Sequence, residues 1–518
     1  MSSPHDCRPP DPTPSPEILD SVPLPDLPAQ TAQMPMPGGQ EQIELIKLCE
    51  ESYSLYPMCL ELQKLADDME QNQELSDNEF AVLETVKALR KQRGWQMHKL
   101  LHSMPRGIIQ SIVQGTVAFD YVNRNGTWLS TPGLADGPVP GVYVVGLSRT
   151  DKRGWFLNIK EMRALVKGIK RYMAGYKAIS KHISSVNAGA VSVGNLAAFS
   201  LQERDDVQFV ALVDREANKF KLGHPTALPK WITKDEELPR FEALLRTYER
   251  MCDESLDPTE QVRMRQSPLY VGCSKDLRSR TMHYGRDSLH GVNRYLGLTI
   301  EILAQASLSV VAHARPVLLI WEKHQLPIAE QLVTTIAGSL IYQHGFNSIE
   351  SGGTGAYTIT SDVHLASNAR MIMSVQDDMR KNVRDTLQDL EGREQFLLKL
   401  NRIKEEVAEI TETMEACLTK VRGFPDDPRW NHILDEMNEI AERMEKRLEE
   451  RKEALRQAGD GRFDQPAPVK KAGESAGKEP SKATGLDNMA GFDIDMDTAL
   501  IEQGCLKSTL DAGCLPYL

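Results

Sequence analysis

The chain has 518 residues, 26% charged and 41% apolar, with a formal net charge of -12. That balance suits a globular protein of two or three domains with unfolded ends, and it excludes a polycation, so any nucleic-acid site must be a local patch. The longest apolar run, Ile302 to Trp321, is interrupted by His313, Arg315 and Pro316, and so falls short of the roughly 20 clean apolar residues of a bilayer span.

The N-terminus, MSSPHDCRPPDPTPSPEILD, is Pro-rich and acidic and lacks the layout of a secretory signal. Residues 1–38 have little to bury and are expected to be disordered. Residues 39–105 read as helical, with Ile43, Ile46, Leu60, Leu62 and Leu65 supplying one helix. Ser76-Asp77-Asn78-Glu79 is a capping box that opens a second. This pair reads as scaffold or a dimer surface.

Near 115 the pattern changes. GTVAFDYV and TWLST flank Asn123-Arg124-Asn125-Gly126, which signals a β-hairpin. GVYVVGLS, residues 141–148, follows as a buried strand. Residues 156–186 then read as one long helix. Between 149 and 181 there are ten Lys or Arg, Lys160, Arg163, Lys167, Lys170 and Arg171 among them, against two acids. Two readings stand: a solvated helix face, or a helix that contacts a nucleic-acid backbone. DDVQFVALVDRE (205–216) reads as a strand and residues 235–254 as a helix. PLYVG (268–272) is a strand that hands over to a basic helix start carrying Lys275, Arg278 and Arg280. RPVLLIWEKH (315–324) is the next strand and residues 327–345 the next helix.

Ser351-Gly352-Gly353-Thr354-Gly355 is glycine-rich without the GK[ST] ending of a P-loop, and reads as a turn leaving the domain. Residues 366–456 are helical and charged. Ile403, Val407, Ile410, Met414, Cys417 and Val421 step by four and three, as do Ile433, Met437, Ile440 and Met444. That seam suits a helical hairpin or a coiled coil, through which the chain would meet a second copy or a partner protein. Residues 457–518 read as a disordered tail with a short helix. The eight cysteines are scattered, none as CxxC. A structural zinc site is therefore not expected, and a reducing compartment, cytoplasm or nucleus, is.

Gly141-Val142-Tyr143 and Tyr270-Val271-Gly272 resemble the two signature tripeptides of the GIY-YIG nuclease superfamily. Arg280 stands ten residues after Tyr270, Tyr284 four further on beside His283, and then come a strand, a helix with Glu330 and the sequence Gly345-Phe346-Asn347. All follow that family's order. The resemblance covers about 268–350 plus the strand at 141–148. It departs from the pattern in one respect: about 120 residues separate the two tyrosines, where the family has a short connection. VQFVALVD is a competing first strand, although it offers no tyrosine.

What the resemblance implies is an α/β (α+β) domain over 115–360, with a small, mostly antiparallel sheet and a basic helical insertion at 149–262. It implies a metal-dependent endonuclease on DNA, or on structured RNA. Glu330 would hold Mg²⁺ or Mn²⁺, and Tyr143 or Tyr270 would act as, or orient, the general base. Arg280 would meet the phosphate, Tyr284 or His283 would assist, and Asn347 would brace the site. Lys160, Arg163, Lys167, Lys170, Arg171, Lys275 and Arg278 would contact the nucleic-acid backbone. The competing reading is an inactive binding or scaffold protein on the same fold. Cys273, beside the second glycine, reads as a small filler.

Overall fold

The computed structural model describes residues 40–71, 95–133, 137–185, 199–215, 229–255, 257–284, 292–348 and 362–422, with isolated positions between 432 and 446. The expected disordered ends, the capping box at Ser76, the Ser351–Gly355 turn and the seam from Ile433 to Met444 lie outside them. The described residues up to Asp389 form one compact unit, and those from Leu390 onward belong to a second.

The N-terminal region is helical, but Ser52–Leu55 splits the expected single helix in two, α1 (Gln40–Glu51) and α2 (Tyr56–Gln71). Its buried apolar positions are Leu45, Cys49, Leu55, Met58, Cys59 and Leu62, while Ile43 is exposed. Next come α3 (Trp95–His102) and α4 (Arg106–Val113).

The hairpin expected after residue 115 is not formed. GTVAFDYV instead carries a helix, α5 (Val117–Val122). The reason is local: Asp120 accepts hydrogen bonds from Thr116 Oγ1, four residues back, from Ser111 Oγ at 2.7 Å and from Asn125 Nδ2 at 3.0 Å. A strand would pull that set apart. The Asn-Arg-Asn-Gly turn ends this helix, with Arg124 in the left-handed region at φ 56°.

Strand β1 (Gly141–Arg149) is buried along nearly its whole length. It leads to α6 (Ile159–Ser185) and α7 (Leu201–Val213). The second correction falls here, because VQFVALVD is helix and not strand. Ser200 accepts from the Glu203 amide at 3.3 Å, and the Glu203 carboxylate accepts from the Ser200 amide at 2.9 Å. This capping box fixes a helical start, and Val207, Val210 and Val213 then fall on one buried face. The competitor to β1 is thereby removed. A Cβ on Gly175 of α6 would sit 2.5 Å from the Asp206 carbonyl, so α6 and α7 meet backbone to backbone. Then follow α8 (Leu238–Arg250), β2 (Tyr270–Ser274), α9 (Leu277–Met282) and α10 (Arg294–Gln305).

Strand β3 (Val310–Leu319) starts and ends earlier than expected, because its register with β1 begins at Arg149–Val310. Helix α11 (Leu326–Ile336) has Pro327 in its first turn and stops nine residues short of the expected end, before Gly338 at φ 52°. Helices α12 (Asp362–Met373) and α13 (Gln376–Arg422) complete the described chain. Within α13, Ile403, Val407 and Met414 are half-buried and Ile410 is exposed.

The sheet has three strands in the order β2-β1-β3, all antiparallel. The pairing of β1 with β3 shifts between Val142 and Tyr143, leaving Val317 as an extra residue beside Pro316. Proline, lacking an N–H, is tolerated there because β3 is an edge strand. One continuous apolar core runs from the N-terminal helices through the sheet to α6, α7, α8 and α10. Helix α11 packs on β1 and β2 and also on α3 and α4. Among the described residues no helix is long and apolar enough to cross a membrane.

Candidate active site

The two tripeptides lie side by side in the sheet. Tyr143 is opposite Gly272 and Val145 opposite Tyr270. In an antiparallel pair such residues share a face, and Tyr270, two positions from Gly272, shares it too. A Cβ on Gly272 would lie 2.5 Å from the Tyr143 hydroxyl and 2.7 Å from its ring. Only glycine lets the phenol cross the neighbouring strand there. The segment between β1 and β2 folds into α6, α7 and α8, which is how two strands so distant in sequence become neighbours.

Helix α9 follows β2 after a short turn. The Asp276 carboxylate accepts from the Ser279 amide at 3.2 Å and caps its start. This orients Arg280 back over the sheet, where its Nε donates to the Tyr143 hydroxyl at 3.0 Å. The Tyr143 and Tyr284 hydroxyls are 3.1 Å apart and hydrogen-bonded. Rings of Tyr143, Tyr270 and Tyr284 form a triangle with centroids 6.2, 5.7 and 6.3 Å apart. Three tyrosines from three separate stretches thus surround one guanidinium.

Glu330 on α11 is 9% exposed, and its carboxylate accepts from the Cys273 amide and from its thiol, each at 3.1 Å. The sequence reading made Cys273 a filler; instead it holds the glutamate. No motif announced it, since the contact exists only once α11 packs on β2. Asn347 clamps the other end of the same strand. Its Oδ1 accepts from the Val271 amide at 2.9 Å and its Nδ2 donates to the Val271 carbonyl at 2.7 Å.

Burial pushes the phenols of Tyr143, Tyr270 and Tyr284 above their ordinary value, although Arg280 pulls each back in part. Burial likewise raises the Cys273 thiol, and Glu330 beside it adds to the effect. At neutral pH the three phenols and the thiol therefore keep their protons. Burial works against the charge on Arg280, but the surrounding tyrosines more than offset it and hold the guanidinium protonated.

The remaining expected residues divide. Lys275 is exposed and Arg278 half-buried, both beside the α9 start. His283 is exposed, next to the buried Tyr284. The cations of α6 form a separate group. Arg163 pairs with Glu254 and Glu260, Lys170 with Glu249 at 2.6 Å, and Lys177 with Glu242 at 3.8 Å. Arg171 pairs with Asp206 at 3.4 Å and stacks on Phe209. Lys167 lines a shallow cleft of about 370 Å³ between α6 and α7 that Asp206 also lines, and Lys160 is exposed. Acids from α7, α8 and the loop after α8 thus neutralise much of the basic run.

Comparisons with protein-family models, with curated proteins and with solved structures find no match to this chain, so the geometry stands alone as the guide to function.

Proposed function

We propose that the chain is a metal-dependent endonuclease of the GIY-YIG type, acting on DNA ahead of structured RNA. One observation carries this reading. Tyr143, Tyr270, Arg280, Tyr284 and Glu330, widely spaced in sequence, converge on the β1–β2 pair, with Asn347 clamping β2 from behind.

Glu330 is the residue that would hold the cation. Its carboxylate is held by the Cys273 amide and thiol, one on each oxygen. One carboxylate with substrate phosphate and waters suits Mg²⁺ or Mn²⁺. When bound, the cation neutralises charge on the scissile phosphate and acidifies a water. The chain's own groups do the rest. Arg280 offers a fork-shaped, permanently charged group to phosphate oxygens as their charge grows. Tyr143 accepts from Arg280 and shares a proton with Tyr284, which fixes the guanidinium in place. With burial raising these phenols, their role would be to orient water and phosphate by hydrogen bonds.

A second reading, a nucleic-acid-binding scaffold without activity, is favoured by one observation: Tyr143 is fully buried and Glu330 nearly so. The test is cleavage of labelled single-stranded, duplex, flap and branched DNA, and of RNA, with Mg²⁺ or Mn²⁺. Wild type is compared with Glu330→Gln, alongside binding to the same substrates. Cutting that vanishes in the variant while binding persists supports the nuclease. Binding without cutting by either protein supports the scaffold, and neither activity removes both.

A further inference from the structure

A second constellation lies away from the sheet, where α2 meets α3. Cys59 of α2 and His98 and His102 of α3 each bring one donor atom within 4.8 Å of the other two. The histidines are four apart on one helix, so they share a face. Their rings stack at 6.1 Å, and Tyr56 also stacks on His98 at 6.5 Å. Cys59 is fully buried and His102 nearly so.

We propose that Cys59, His98 and His102 form a binding site for a borderline-soft divalent cation, Zn²⁺ above all, which ties α2 to α3. One thiolate sulfur and two imidazole nitrogens are the donor set that zinc prefers and that Mg²⁺ and Ca²⁺ do not. The site is separate from Glu330, an oxygen donor on α11, and does not depend on the nuclease reading.

The hydrogen bonding prepares the ligands. His102 Nδ1 lies 2.8 Å from the His98 carbonyl, and a carbonyl only accepts, so Nδ1 carries the proton. His102 Nε2 therefore keeps its lone pair, which accepts from the Thr386 hydroxyl at 2.8 Å in this structure; on cation binding that hydrogen bond breaks, the hydroxyl turns away and the lone pair goes to the metal. A ring N–H fixed on a backbone carbonyl is the outer partner that orients metal-bound histidines. On binding, the Cys59 S–H bond breaks, its proton passes to solvent and the sulfur electron pair goes to the metal. Three protein ligands leave the fourth tetrahedral position to a water. Helix α3 packs on α11, which carries Glu330, so the cation would brace the support of the sheet.

The experiment uses the full chain, stripped with a chelator and titrated with Co²⁺ and then Zn²⁺. One equivalent of Co²⁺ is expected to give a near-ultraviolet thiolate-to-cobalt band with strong tetrahedral-type visible absorption, both displaced by Zn²⁺. Cys59→Ser should abolish the band. His98→Asn and His102→Asn should weaken Zn²⁺ binding by at least about 10–100-fold, the loss that even an outer partner produces. Glu330→Gln should keep the band. A wild-type chain with no thiolate band, or a band that survives Cys59→Ser, overturns the site. If Cys59→Ser does not fold, the wild-type band and its loss of affinity in His98→Asn decide the matter.

Discussion

Two regions of this molecule were expected to meet phosphate, and they are built in opposite ways. Around β1 and β2, residues far apart in sequence come together, and a single cation, Arg280, stands among three uncharged phenols. Along α6, cations adjacent in sequence are drawn apart into separate pairs with Glu242, Glu249, Glu254, Glu260 and Asp206. Charge counted along a chain is therefore a poor measure of charge offered at a surface. Exposed pairs of this kind add little to stability. Their larger effect is to remove the positive field that a nucleic-acid backbone would follow.

The sharpest way to break the comparison is to strip each region of its charged groups. Glu330→Gln is expected to bring metal-dependent cleavage below detection, while its amide oxygen still accepts from Cys273. Arg280→Ala should lower kcat by about 10²–10³, the usual cost of removing a group that stabilises transition-state charge. Single-turnover rates at saturating enzyme separate these losses from weaker binding. If both variants cut at wild-type rates, the tyrosine seam is packing.

Stability effects come next. Asn347→Ala leaves the Val271 N–H and C=O without the clamp they share, at an expected cost of roughly 2–4 kcal/mol. Gly272→Ala drives a methyl group into Tyr143 and should cost about 1–3 kcal/mol by overpacking. Urea midpoints read both. A neutral Gly272→Ala would mean that Tyr143 can move aside, and that the close crossing of the two strands is not a constraint.

Acid should act on the two sides differently. Burial lowers His344 from 6.5 to about 4, and His344 lies in the turn that carries Asn347. His313 on β3 is lowered to about 4 in the same way, with Arg315 adding to burial. A histidine whose folded pKa is depressed binds fewer protons folded than unfolded. Its stabilisation is therefore present above about pH 6.5 and lost as pH falls toward 4, each pKa unit being worth about 1.4 kcal/mol. Asp214, which accepts from Tyr172 between the helices, is raised by burial from 3.8 to about 6. Its sign is the reverse: stability it contributes grows as pH falls from 6 to 4. Hydrogen exchange at pH 7 and pH 5 should show Ile341–Asn347 amides losing protection while those of Tyr172 and Trp231 hold theirs. Uniform loss across both regions would contradict this.

What was legible in the sequence follows the same division. Strands β1 and β2 and helix α6 were legible from their apolar runs and helical spacing, whereas the grouping of Tyr143, Tyr270, Arg280, Tyr284, Glu330 and Asn347 was an expectation from the resemblance to the GIY-YIG tripeptides alone. The misreadings at 117–122 and 205–213 were also local, but there polar side chains outvoted the apolar pattern. Asp120 gathered three donors, and Ser200 with Glu203 closed a capping box in front of a run of valines. Cys273 against Glu330, and Cys59 against the two histidines, could not be read. Each needs two elements to pack before the contact exists, although His98 and His102, four apart in a helical stretch, were a signal that passed unused.

The smallest expected effect tests α6 directly. Lys160 and Lys167 are exposed, and Lys167 lies over the cleft shared with Asp206. If they contacted a DNA backbone, each would release a counterion, and replacing both would flatten the slope of log K against log salt by nearly 2. With the neighbouring Arg163, Lys170, Arg171 and Lys177 neutralised by acids, little positive field remains around these two, and Lys160→Ala/Lys167→Ala should change that slope by less than about 0.5. Lys275→Ala/Arg278→Ala, beside Arg280, should instead flatten it by more than about 1. Equal slopes for the two double variants would erase the difference between the regions. A larger change on α6 would invert it and make that helix the contact with the nucleic-acid backbone.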